Sequence, residues 1–262
     1  MIDLRKNEQG FTLVELSIVL VIIGLIVGGI LIGQDMINAS KSRATVAQIE
    51  KYNAAVNTFN EKFGGIPGDY EKASVNLIDS AVVDGDGNGV IYSDSGAVPA
   101  TVTAADYTLA AGTTGNNELP LFFQHLSAAN MIDGSFDGSN ASVDPGTNFP
   151  QPKTGSGAML AYSYNDGLKY WFLGLDTGTD IAEIDILRPD EAFSIDKKMD
   201  DGKPLIGIVK SVGLVDASVP SGNSTFATAA CVNVDTPALG DETAEYKINI
   251  LSKECQLRIR MN

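Results

Sequence analysis

Six consecutive residues of this 262-residue chain, Asp84-Gly85-Asp86-Gly87-Asn88-Gly89, alternate an oxygen-bearing side chain with glycine. Calcium takes about six to eight oxygen ligands, and the loops that wrap it place side-chain oxygens at positions 1, 3 and 5 and a glycine at 6 for the turn. The carbonyl of Val90 then falls at position 7, so Asp84, Asp86, Asn88 and Val90 are the expected calcium ligands. The second half of the pattern departs. Position 12 is Ser95 rather than a bidentate Glu, so Asp94 or an acid from elsewhere has to complete the shell. An acidic, glycine-rich turn without metal fits the same residues. Asp196, Asp200 and Asp201 make a second acidic group, which a helix terminus and turn explain as well as a metal does.

Other chemistry is thinly represented. One His rules out a multi-His metal centre, and two Cys rule out both a Cys₄ zinc site and a small disulfide scaffold. That histidine, His125, has no evident nucleophile or base partner, so a structural role is expected and no enzymatic one. The chain carries 33 Asp+Glu against 18 Lys+Arg, net −15, which argues against a nucleic-acid partner. The excess is segregated. Residues 1–10 and 11–63 each balance to zero, and the whole −15 lies in residues 64–262. Between Lys72 and Lys153 there are nine acids and no base.

The elements that position these residues begin with an apolar run. From Phe11 to Ile32 only Thr12, Glu15 and Ser17 are polar among 22 residues. At the helical rise this spans ~33 Å, enough to cross a bilayer's hydrocarbon layer. It is longer than a secretory signal core, and no small-x-small cleavage site follows. Glu15 is the odd residue, since a carboxylate there costs roughly 2.5–3.5 kcal/mol to insert and so calls for a partner or a function. No proline occurs between Phe11 and Ile66, and Val46, Ile49, Tyr52, Val56, Phe59 and Phe63 recur at helical spacing. Gly64-Gly65-Ile66-Pro67-Gly68 is a strong stop, so one helix is predicted over about 11–63.

Beyond it, residues 73–117 read as mostly loop, and Glu118 to Ile132 as a short amphipathic helix with Pro120 in its first turn. Ala158 to Asn165 and Leu168 to Asp176 flank Asn165-Asp166-Gly167, a β-hairpin signal. A helix is predicted from Leu187-Arg188-Pro189 to near Met199, and strands over 205–212, 246–250 and 256–261. The expected fold class is α+β, a long N-terminal helix packed on a head with an antiparallel sheet and short helices.

The segment Gly10-Phe11-Thr12-Leu13-Val14-Glu15-Leu16 with the apolar run behind it resembles the processing site of type IV pilins and type II secretion pseudopilins. Gly64 to Tyr70 is similar to the helix-to-head junction of many such proteins. The resemblance implies three parts: a leader over 1–10, a helix over 11–63 that is membrane-embedded and then amphipathic, and an acidic head over 64–262. It implies that a prepilin peptidase cleaves after Gly10 and methylates Phe11, although this leader is neutral where the family's are usually basic. It further implies inner-membrane residence before assembly, then a homo- or hetero-oligomeric filament built through helix 11–63. That filament is an extracellular pilus, a periplasmic secretion pseudopilus, or a pilus with this chain as a minor or adhesive tip subunit. Glu15 is the expected assembly residue, because its carboxylate can pair with the largely cationic amine that cleavage creates. Cys231 and Cys255, either buried thiols or a pair, are expected to form a disulfide in an oxidising compartment, similar to the C-terminal loop of type IV pilins.

Overall fold

The computed structural model describes residues 12–77, 81–92, 117–140, 142–164, 166–175, 185–211, 231–233 and 240–261. Contacts divide the chain into two compact units, Met1–Ser40 and Lys41–Asn262.

A single helix, α1, runs through Leu13–Phe63, 51 residues without a proline. In the first unit its apolar side chains from Leu13 to Ile30 and from Ile32 to Ile37 are exposed, and this helix is long and apolar enough to cross a membrane. In the second unit α1 buries one face. Val46, Ile49, Tyr52, Ala55 and Phe59 are buried, and Val56 and Phe63 are half-buried against the same core. The helix ends where predicted. Gly64 takes the left-handed conformation, φ 71°, and its N–H still reaches Asn60 O at 2.8 Å.

The remaining elements are α2 (Ala73–Asn76), α3 (Glu118–Ala128), β1 (Ala158–Ser163), β2 (Lys169–Leu175), α4 (Pro189–Met199), β3 (Val209–Lys210) and β4 (Leu257–Arg260). The four strands form one antiparallel sheet in the order β1-β2-β4-β3. β1 and β2 are the predicted hairpin, in register Ala161 to Trp171 and Tyr162 to Tyr170. Between them the Gly167 N–H reaches Tyr164 O, and Tyr164 in turn donates to Leu168 O. β4 inserts beside β2, bringing Ile259 opposite Trp171.

Trp171 is the centre of the core. Its ring lies 5.8 Å from Tyr52, 5.5 Å from Phe122 and 6.3 Å from Phe123, so α1, α3 and the sheet meet on it. The indole N–H donates to Asn53 Oδ1 at 2.8 Å, which satisfies a polar group that burial would otherwise strand.

Two predicted strands come out differently. Residues 205–212 contribute only Val209–Lys210 to the sheet. Residues 246–250 form no strand. Tyr246 makes a lone bridge to Val232, and Ile250 then donates back to Lys247 O, closing a turn.

Candidate functional site

At the start of α1, Thr12 and Glu15 are bonded to each other. Glu15 Oε2 accepts the Thr12 N–H at 2.9 Å and the Thr12 hydroxyl at 2.8 Å, and the Glu15 N–H donates to Thr12 Oγ1 at 3.3 Å. This is a reciprocal capping box that satisfies donors at the helix start. Its Thr-x-x-Glu signature is present in the sequence, so Glu15 has a local role in the helix start besides its charge. Gly10 and Phe11, the expected processing pair, lie outside the described residues.

The Asp84–Gly89 loop is laid against the segment that leaves α1. Gly85 N–H donates to Tyr70 O at 3.0 Å, and Gly87 N–H to Asp69 O at 2.9 Å. The approach is so close that a Cβ on Gly85 would fall 2.3 Å from Gly68 O, which only glycine allows. Gly68 in turn, at φ +87°, leaves room for α3, since a Cβ there would sit 2.7 Å from Glu118 O.

This packing regroups the expected ligands. Asp84 turns away from the loop: its carboxylate accepts the Ser74 N–H at 2.7 Å and the Ser74 hydroxyl at 2.9 Å. Asn88 Oδ1 accepts the Val90 N–H, and Asn88 Nδ2 donates to Asp86 Oδ2 at 2.8 Å. Asp86 instead joins Asp69 and Glu118, with one carboxylate oxygen from each within 4.8 Å of the others. Asp94 and Ser95 lie outside the described residues. Asp69 and Glu118 were not legible as partners of the loop, because they lie 17 and 32 residues from Asp86 in sequence.

Glu118 opens α3, which Asn117 caps by accepting the Leu119 N–H at 3.2 Å. Its two oxygens accept the Asp86 and Tyr92 N–H groups, both at 3.2 Å. Burial, and then the charges of Asp69 and Asp86, push the Glu118 carboxyl up to about 8. Asp69 is likewise pushed up, chiefly by burial. Its Oδ2 accepts the Gly89 N–H at 2.9 Å, while its Oδ1 is buried without a hydrogen-bond partner.

His125 stands beside this group as a structural post. Its Nδ1 accepts the Gly68 N–H at 2.9 Å, its Nε2 is 2.8 Å from Val83 O, and its ring stacks on Phe59. Those contacts fix the neutral ring with its proton on Nε2, and burial pushes its pKa down to about 4.

The second acidic group is organised differently. Asp196 Oδ1 accepts the Gly202 N–H at 3.1 Å and Oδ2 the Tyr246 hydroxyl at 2.9 Å. Asp200 accepts the N–H groups of Ile208 and Val209. These carboxylates tie the end of α4 to β3. Close by, Cys231 and Cys255 are joined in a disulfide, and Cys255 exchanges both backbone hydrogen bonds with Leu187 at the entry to α4.

No curated protein and no solved structure matched this chain. Residues 5–31 match the family model of the prokaryotic N-terminal methylation motif. The chain therefore carries, on the leading end of a long apolar helix, the processing segment characteristic of type IV pilins and pseudopilins.

Proposed function

We propose that this chain is a structural subunit of an extracellular type IV pilus-like filament and not an enzyme. It is held in the inner membrane by the first half of α1, cleaved after Gly10 by a prepilin peptidase, and methylated at Phe11. The observation that carries the reading is the methylation motif joined to apolar side chains left exposed from Leu13 to Ile30 and from Ile32 to Ile37. Such a surface is stable only in lipid or against other apolar helices, and a polymer of these subunits supplies the second once they leave the first. The acidic head, with its disulfide suited to an oxidising compartment, is then the outer surface. A secretion pseudopilin, whose destination is a periplasmic filament, has the same processing segment and apolar helix, and the disulfide favours the pilus subunit over it.

Electron microscopy of filaments sheared from cells, with peptide identification, separates the two. Abundance of this chain in those filaments supports the pilus subunit; its absence from them while it is processed in the envelope moves the assignment to the pseudopilin or to a minor subunit.

Glu15 has two roles to tell apart, a helix cap and a partner for the new amine of a neighbouring subunit. Gln at the third helical position keeps a capping box but carries no charge. Glu15→Gln is therefore expected to be inserted and processed normally and to yield few filaments. Wild-type filament yield from Glu15→Gln would leave only the cap.

A further inference from the structure

We propose that Asp69, Asp86 and Glu118 bind one calcium ion, which ties the exit of α1, the Asp84–Gly89 loop and the first turn of α3 together. The inference stands independently of the filament reading.

Three carboxylates from three chain segments converge with one oxygen each inside a 4.8 Å span. Two ligands on opposite sides of a calcium ion lie ~4.6–5.2 Å apart at its usual bond lengths, so the cluster is already drawn to the right size. Asp69 and Glu118 are 4% and 1% exposed, while Asp86 is exposed and leaves the ion a way in and a side for water. Among the described residues no Lys or Arg forms an ion pair with any of the three.

The independent sign of a ligand is Asp69 Oδ1. It is buried and no N–H or O–H donor reaches it; its carboxyl lies against that of Asp86, and Gly89 holds it in place through Oδ2. A stranded carboxylate oxygen costs at least about 1–3 kcal/mol, and every neighbouring oxygen in the cluster has found a donor. Those donors are backbone N–H groups and the Asn88 amide, which aim the carboxyl groups and bring no positive countercharge. All the donors to an ion here are hard oxygens, the chemistry of calcium or magnesium. Rigid octahedral geometry is what magnesium demands, and a cluster with one exposed, loop-borne member suits the looser calcium shell.

The ligand set differs from the one the loop's letters suggest. Asp84 is engaged by Ser74, and Asn88 orients Asp86 through its backbone N–H and its amide.

The test uses the full chain in detergent micelles, stripped with chelator and titrated with calcium chloride by calorimetry, with Trp171 fluorescence reporting thermal unfolding. The expected result is one calcium per chain and a Tm that rises to saturation with calcium. Asp86→Asn, exposed and so tolerant of the change, is expected to fold with the Tm of the stripped wild type and to bind calcium at least tenfold more weakly. Asp69→Asn is expected to lose binding, and Asp200→Asn, in the other acidic group, to keep it. The proposal is overturned by wild-type protein showing neither heat nor a Tm shift at millimolar calcium. It is equally overturned by folded Asp86→Asn binding as wild type does, or by Asp200→Asn abolishing the heat.

Discussion

Ile22 and Phe59 are large apolar residues on the same helix, yet Ile22 leaves 51% of its surface exposed and Phe59 none. Around Phe59 the chain supplies its own partners. Phe63 lies 4.7 Å away between ring centroids, Tyr70 packs edge-on and His125 stacks face-on. Around Ile22 the described residues supply no buried cluster, and no charged residue occurs from Leu16 to Gln34. Both halves of α1 are helical for the same local reasons. What differs is where the hydrophobic free energy is collected: within the chain for residues 41–63, and outside it for residues 13–40. On the proposed function, folding of Lys41–Asn262 and polymerisation fall to different stretches of one element.

The largest effect that probes this difference is Phe59→Ala. Removing a fully buried Phe costs about 3–5 kcal/mol through lost burial and the cavity left behind. Urea unfolding followed by the single tryptophan, Trp171, is expected to show that loss. A loss below about 1 kcal/mol would mean that α1 is dispensable to the core and would break the contrast between its halves.

The next effect is on pH and reaches the same stretch through the ring stacked on Phe59. Burial pushes His125 down to about 4 from an ordinary value near 6.5, so between those values the unfolded chain binds a proton that the folded chain does not. Its contribution is fully present above pH 6.5 and is lost as pH falls toward 4, by up to about 3 kcal/mol. Asp196, pushed up to about 7 by burial, works in the opposite direction, so the measurement is a difference between wild type and His125→Gln. Wild type is expected to lose more stability than the variant between pH 7 and 4. Parallel pH profiles would show that the ring is protonated without penalty and is not the buried post described.

Local patterns made much of this readable. The spacing from Val46 to Phe63, the glycines behind it, and the Asn-Asp-Gly between two aromatic runs each specify an element within a few residues of themselves. What was not readable is what distance in sequence conceals. The Asp84–Gly89 loop has the letters of a calcium loop, but its partners depend on Gly68 and Gly85 letting three backbones pack together, and no short-range pattern encodes that. Glu118 is legible as the first residue of a helix, but not as one that packing buries beside Asp69 and Asp86. The apparent strand at 246–250 failed for a related reason. Tyr246 is directed to Asp196 and Val232, so its alternating neighbours have no ladder to join.

The smallest expected effect on folding belongs to Ile22→Ala, and for that reason it sharpens the comparison most. The side chain makes no contribution to the core around Trp171, so the urea midpoint reported by that residue should stay within about 0.5 kcal/mol of wild type. Helix propensity does not oppose this, because alanine is the better helix former. The lost apolar surface matters only where a second molecule covers it, and in a filament the same deletion recurs in every subunit. Ile22→Ala should therefore leave folding and processing intact while lowering the yield or shear resistance of filaments. A drop of more than about 1 kcal/mol in the Trp171 transition would instead show that the first half of α1 stabilises the chain itself, and folding and assembly would no longer be separable along the helix.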